Sequence, residues 1–367
     1  MLSGVPLAPP PCRPPAPLTD PVRILVTGHQ GYIGSVLVPA LLNAGHDVAG
    51  LDAGLFSSCT FDASGLVHVE ETERDVRDVT SMDLAGFEAV VHLANLSNDP
   101  LGNLAPGVTM DVNHLATVRL AELARAAGAS RFAFASSCSL YGDGGDNAVT
   151  EDAPMRPLTP YGEAKALAER DLSRLAGEHF SPVFLRNATV YGLSPRLRFD
   201  LVVNHLTAWA VSTGRVRLLS DGRAWRPLVH VEDVCSAIIA ALEAPRTAVH
   251  NVALNVGRAA ENYRVREVAD QVAAAVPGCR IETPGGVGAD ARSYRVSFSR
   301  IAERLPEWAP AWTVPDGIAQ LRDALVPRGL SPDVFEGPAF SRIAHLRELI
   351  DQGRVDAGLR PAAAVAA

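Results

Sequence analysis

Arg23-Ile24-Leu25-Val26-Thr27-Gly28-His29-Gln30-Gly31-Tyr32-Ile33-Gly34 decides how this chain is read. Arg23 to Val26 is an apolar, β-branched run too short for a helix, as expected of a strand buried on both faces of a parallel sheet. Beyond the glycines, Ser35 to Leu42 spaces its apolar residues as a helix does, and Asp47 to Leu51 reads as a second strand that closes on Asp52. Strand, glycine turn, helix, strand and acid form the layout of a dinucleotide site. Gly28 permits the tight turn, Gly31 lets the backbone approach a pyrophosphate, and Gly34 lets the helix sit close to the sheet. The helix N-terminus offers unpaired N–H groups and a positive dipole end to phosphates. Asp52, 24 residues past Gly28, is spaced to bind the adenosine ribose hydroxyls.

The same alternation continues outward. Leu66 to Val69 and Ala89 to Leu93 read as strands, Val108 to Ala127 as a long amphipathic helix, and Arg131 to Ala135 as a strand. Tyr161 to Glu178 reads as a helix and Val183 to Arg186 as a strand. Strands alternating with helices of this length imply an α/β fold, a Rossmann-type doubly wound parallel sheet. From about Gly192 the rhythm loosens into a smaller C-terminal α/β lobe for the substrate, with some segments returning to the main sheet. The expected division is a disordered, proline-rich tail at 1–21, a dinucleotide domain at 22–191, a substrate lobe at 192–324 and a helical appendage at 325–367. The tail carries eight prolines. The appendage carries one helix, Arg342 to Asp351, and an alanine-rich end.

Composition narrows the function. With 367 residues, 47% hydrophobic and 20% charged, the chain can bury a sizeable core. A net charge of −8 gives no basis for a nucleic-acid or anionic-membrane partner. No apolar run reaches a membrane span, and the first residues lack the pattern of a signal peptide. The five cysteines (Cys12, Cys59, Cys138, Cys235 and Cys279) are scattered and never at metal-ligand spacing. They are expected to be reduced thiols of a cytoplasmic protein with no metal site.

The second decisive stretch is Pro160-Tyr161-Gly162-Glu163-Ala164-Lys165. Tyr161 and Lys165 stand four apart at a helix start, on one face. A tyrosine needs a nearby cation to act as a base near neutral pH, and Lys165 can supply it while hydrogen-bonding a nicotinamide ribose. Lys165 is also the only lysine in the chain, every other Lys/Arg position being arginine. A forked guanidinium cannot reproduce a compact ammonium at a tight site. Upstream, Phe134 to Gly142 runs off a strand into a serine-rich loop, where ligands of parallel sheets gather; a serine there can relay a proton to Tyr161.

On these motifs the chain resembles the extended short-chain dehydrogenase/reductase family, within it the NAD-dependent nucleotide-sugar epimerases and dehydratases. The resemblance runs from about residue 23 to 320. It also takes in Asp75-Val76-Arg77-Asp78, His92-Leu93-Ala94, Ser136-Ser137, Leu185-Arg186 and Trp225 to Asp233. It implies that the turn residues Gln30, Tyr32 and Ile33 join the three glycines around NAD, and that Asp75 and Val76 hold the adenine. Leu93 and Ala94 would line the cofactor channel, and Asn187 would sit beside the nicotinamide. Ser137 takes the catalytic Ser/Thr position. Asn95, Ser137, Thr189, Arg226 and Arg292 would contact a nucleotide-diphosphate sugar, Arg226 on the diphosphate. A homodimer is implied.

The departures select among reactions. Similar 4,6-dehydratases carry an Asp-Glu pair where Cys138-Ser139 stand, and UDP-glucuronate decarboxylases a glutamate at Ser139. Thr189 replaces the family's asparagine, Asp200 falls near the phosphate-binding segment, and the arginine before the Asp290 position is missing, with Arg292 or Arg295 as substitutes. Cys138 lies one position from the acid/base cysteine of certain 3,5-epimerases and is expected to be a buried, inert thiol. The expected reaction is epimerisation through transient oxidation at C4. A reductase or dehydrogenase, a 4,6-dehydratase-like enzyme and an idle nucleotide sensor are the alternatives.

Overall fold

The glycine-bearing strand Arg23–Thr27 lies inside a seven-stranded sheet whose neighbouring strands all pair in parallel. Across the sheet the order is Val252–Val256, Ser181–Asn187, Arg131–Ser137, Ala89–His92, Arg23–Thr27, Asp47–Asp52 and Glu70–Glu73. The computed structural model describes residues 21–97, 99–145, 147–283 and 292–361. Residues 1–20 of the expected tail, Cys12, Asp290 and the alanine-rich end from 362 lie outside the described residues. The chain winds from Arg23–Thr27 outward through two strands, then returns to Ala89–His92 on the other side. That reversal opens a crevice at the carboxyl ends of the two strands.

The central strands are buried on both faces, Ile24, Val26, Val90 and Phe132 completely, which is why they read as continuous apolar runs. The third strand differs from expectation. Residues 66–69 form no strand, and the pairing falls on Glu70–Glu73, opposite Ala49–Asp52. It is an edge strand with one neighbour, so three glutamates face solvent where apolar residues would invite pairing with another chain.

Two helices also depart from their expected bounds. In place of one helix over Val108 to Ala127, Pro106–Met110 and Ala116–Ala126 flank a π-helical turn at Asp111–Leu115. Inside that turn the side chain of Asn113 accepts from the Leu96 amide at 2.8 Å and donates to the Leu96 carbonyl at 3.0 Å. The bulge thereby pins the loop that follows Ala89–His92. The helix of Tyr161 is Pro160–Ser173, started by a Thr159 cap and proline in its first turn. It stops five residues short of Glu178, as the chain turns so that Gly177 bridges Phe180.

Beyond Gly192 the helix Val231–Glu243 and the strand Val252–Val256 join the main sheet and its core. A second core forms around Phe199, Val203, Leu228, Val268, Ile318 and Phe335. It packs the helices Val202–Thr213, Val265–Ala275 and Val314–Leu325 beside a small sheet in which Trp225–His230 lies between Thr189–Tyr191 and Asn262–Arg264. The last helix is Arg342–Asp351, capped by Ser341.

Candidate active site

At the crevice the main sheet and the second core enclose a cleft of about 1030 Å³. One side is the glycine turn. Gly28 has φ +74°, and a Cβ there would stand 2.6 Å from the Ala94 amide nitrogen. A Cβ on Gly34 would overlap the Gly28 carbonyl, so the helix Gly34–Asn43 can start this close to the strand only as glycine. That helix has no side-chain cap; the Ser35 and Val36 amides turn back to the Gly31 and Ile33 carbonyls at 3.0 Å each. Asp52 accepts from the Gln30 amide at 3.2 Å and the Gly54 amide at 3.0 Å. Burial pushes its carboxyl pKa up, and those amides with nearby His29 oppose the shift.

Gln30 is the one expected cofactor residue outside the cleft wall. Its side chain turns away to Glu71 at 3.0 Å, so only its main-chain amide takes part, through Asp52. Glu71, on the edge strand, gathers both side chains, meeting His29 at 3.0 Å as well. Gly31, Tyr32, Ile33, Asp75, Val76, Leu93 and Ala94 all line the cleft. Tyr32 also ties the turn to the second lobe, its hydroxyl donating to the Gly192 carbonyl at 2.7 Å. Asp75 is gripped by Arg77, whose Nη2 lies 2.5 Å from the carboxylate. Burial opposes ionisation of Asp75, yet the Arg77 hydrogen bonds hold its pKa below the usual range.

Deeper in, the strand Arg131–Ser137 delivers Ser137 to the floor. The Ser137 hydroxyl caps the next turn, 3.2 Å from the Ser139 amide and 2.6 Å from the Ser139 hydroxyl. Tyr161 stands beside it, and the Ser137 hydroxyl acts to lower its phenol pKa. Lys165, 2% exposed, donates to the Ala135 carbonyl at 2.5 Å. Its ammonium position is 4.4 Å from the Phe134 ring centre and 5.7 Å from that of Tyr161. Below it His92 is clamped between the Thr27 and Thr117 hydroxyls at 2.7 and 2.8 Å. Burial, reinforced by Lys165, lowers the His92 pKa to about 3 and keeps it neutral.

Burial also sets the protonation of the pair. It raises Tyr161 to about 12, with Asp99 adding and Ser137 and Arg198 opposing. It lowers Lys165 to about 7 against the pull of Glu169. Between those values the free site holds a neutral phenol and a neutral amine. Phenolate beside ammonium is the tautomer of that neutral pair, with the same net charge.

The far end collects Asn95, Asn187, Thr189, Arg226 and Arg292. Both amide atoms of Asn95 and the Oδ1 of Asn187 are buried without a protein partner among the described residues, as expected of groups that await a ligand. Arg226 lies on the middle strand of the small sheet, 8% exposed, and donates to the carbonyls of Trp225 and Arg292. Arg292 pairs with Asp99, which also accepts from Thr159 at 2.5 Å.

The structure adds Arg198, Ser97 and Asp99, which the motifs did not single out, and accounts for Asp200. Asp200 proves to be no bare carboxylate: Arg198 holds it through two bonds at 2.9 and 2.7 Å and reaches Ser97 at 2.8 Å. The alternation Arg198-Phe199-Asp200, charges on one side and phenylalanine on the other, was the available signal. Ser97, Asp99 and Ser139 complete this wall. Cys138 is 1% exposed, donates to the Arg186 carbonyl at 3.2 Å, and has its thiol pKa pushed well up by burial. It is built as a core residue.

Residues 24–257 match the model of the NAD dependent epimerase/dehydratase family. The chain is 33% identical over 316 residues to a UDP-glucose 4-epimerase of Mycolicibacterium smegmatis, an alignment covering 82% of this chain and 97% of that protein. Among solved structures it is similar to MoeE5 in complex with UDP-glucose and NAD, at 30% identity and a TM-score of 0.72, covering 84% of this chain and all of that one. TunA, an NAD-dependent NDP-hexosamine 5,6-dehydratase, shares the fold at 22% identity and a TM-score of 0.73, over 82% of this chain and 97% of that one.

NAD fits the cleft on internal grounds. Asp52 uses two of the roughly four lone-pair sites of a carboxylate, leaving the others for ribose hydroxyls. The volume, about 1030 Å³, is at the top of the range of roughly 300–1,000 Å³ for small-molecule and cofactor pockets. With the parallel sheet, the glycine turn and the Tyr161–Lys165 pair in one cleft, and the family model spanning more than half its length, the chain belongs to the NAD-dependent epimerase/dehydratase family.

Proposed function

We propose that this protein is an epimerase of a nucleotide-diphosphate sugar, working through transient oxidation at C4. The observation that carries the reading is the floor of the cleft: Ser137, Tyr161 and Lys165 are assembled, while Cys138 is sealed in the core and Ser139 is a hydroxyl. As a phenolate held by the Lys165 ammonium, Tyr161 is equipped to take a proton from a sugar hydroxyl, with Ser137 hydrogen-bonding that hydroxyl, and so to become the neutral phenol. Bound NAD supplies a hydride acceptor that can return the hydride to the same carbon. Tyr161 gives the proton back as the sugar hydroxyl reforms. Water elimination across C5 and C6 needs an acid and a base where this chain has Cys138 and Ser139, so the keto sugar has only the return path.

Arg226 and Arg292 supply forked donors suited to a diphosphate, the Asn95 amide can donate to and accept from a ligand, and the Asn187 Oδ1 can accept from a ligand hydroxyl. Asp52 favours NAD over a cofactor with a 2′-phosphate, which its carboxylate repels. The similarity to UDP-glucose 4-epimerases makes UDP-glucose the first substrate to try. Incubation followed by proton NMR should show a sugar differing only in configuration at C4. Formation of a keto-deoxy sugar, or no conversion of any nucleotide sugar, would reject the reading.

A further inference from the structure

Opposite the glycine turn, the cleft is walled by Ser341, Arg342 and Leu359, which no dinucleotide motif supplies. They lie beyond the family match, which ends at Gly257. Two sets of contacts seat the segment that carries them. Leu346, Leu349, Val355 and Leu359 form a small apolar cluster with Leu96 and Leu101, behind the loop pinned by Asn113. Arg77, while gripping Asp75, donates to the Gly358 carbonyl at 2.8 Å, and Arg360 pairs with Asp78. At its other end, His345 bonds the Leu55 carbonyl at 3.0 Å, and Arg342 donates to the Arg196 carbonyl at 3.0 Å while lying over Phe56.

The segment is therefore fastened to both stretches that flank an adenosine: the loop just after Asp52, and the run Asp75-Val76-Arg77-Asp78. Two further observations point inward. Leu359 is held at φ +55°, a conformation costly for a branched residue, yet it is 3% exposed and faces the cleft. Arg342 is also 3% exposed, and its Nη1 has no partner among the described residues.

We propose that residues 341–359 are part of the cofactor site: they form the outer wall of the adenosine subsite, Leu359 packs on the bound nucleotide, and NAD leaves only when the segment undocks. The proposal rests on NAD occupying this cleft and not on which sugar is turned over. It makes the cofactor a retained group that cycles in place, as a reaction without net redox change permits.

The test loads the full chain with isotopically labelled NAD and chases with unlabelled NAD. Leu359→Gly removes the wall while relieving the positive φ, and should speed release at least about tenfold, the scale of one lost buried leucine. Glu307→Ala, exposed and outside both this segment and the cleft lining, should release at the wild-type rate. Because Leu359→Gly also opens the apolar cluster, hydrogen exchange on the unaltered chain gives a second reading. NAD should slow exchange across 342–359 as well as at Gly28–Gly34. Protection of Gly28–Gly34 alone, or release from Leu359→Gly within twofold of wild type, would overturn the proposal. Protection of neither would remove the cofactor assignment itself, and the proposal with it.

Discussion

The two walls of the cofactor cleft are made in opposite ways. The inner wall, Arg23 to Asp52, is local: one turn, one helix and two adjacent strands, anchored in the central sheet with Ile24 and Val26 wholly buried. The outer wall is assembled from residues 281 positions apart, as in the Arg77 bond to Gly358, and rests on a small cluster with a half-exposed ion pair at Arg360. The inner wall can open only with the sheet, whereas the outer one can come away as a sub-global unit. On the proposal above, the first wall seats the dinucleotide and the second retains it. Changes near the inner wall should therefore abolish turnover or binding, while changes to the outer wall alter mainly the residence time of NAD.

The largest expected effect is at the floor. Tyr161→Phe should lower kcat by about 10²–10⁴-fold, the usual worth of a positioned general base, while NAD remains bound. Lys165→Arg should fail as badly although it keeps a charge, because a guanidinium does not fit where the Lys165 amine meets the Ala135 carbonyl at 2.5 Å. Near-wild-type turnover in either variant would show that the pair is incidental.

Next comes the inner wall. Gly28→Ala places a Cβ 2.6 Å from the Ala94 amide at a φ of +74°. Strain of about 1–2 kcal/mol should shift the turn and weaken NAD by tenfold or more in calorimetric titration. Unchanged affinity would mean that the turn does not touch the cofactor. Paired with Leu359→Gly, which should act on release, this variant separates the two walls.

Within a single pH unit of neutrality the effect is the smallest, and it is graded. Below about pH 7 Lys165 takes up a proton while Tyr161, at about 12, keeps its own, so the pair can no longer accept one. The kcat/KM profile should fall about tenfold per pH unit on the acid side of neutrality. A profile flat from pH 5 to 8 would contradict the assignment of the base.

What the sequence disclosed follows the same division. The glycine turn, Asp52 and the Tyr161–Lys165 pair were legible because each is a short-range pattern whose spacing is the chemistry. The edge strand Glu70–Glu73 was not, because its side chains answer to solvent rather than to a core, and apolar periodicity points instead to residues 66–69. The π-turn at Asp111–Leu115 leaves no trace in composition, since it is required by what Asn113 must reach. The Gln30 side chain went to Glu71 and Asp200 to Arg198, choices settled by partners outside any motif. The appendage helix Arg342–Asp351 was visible, but its seat on the Asp75 stretch depends on contacts between distant parts of the chain.

The account turns on the return of the hydride to the carbon that lost it. A nucleotide sugar deuterated at C4 should yield its C4 epimer with the deuterium retained and with no NADH accumulating over many turnovers. Loss of the label to solvent, or NADH rising in step with product, would contradict it.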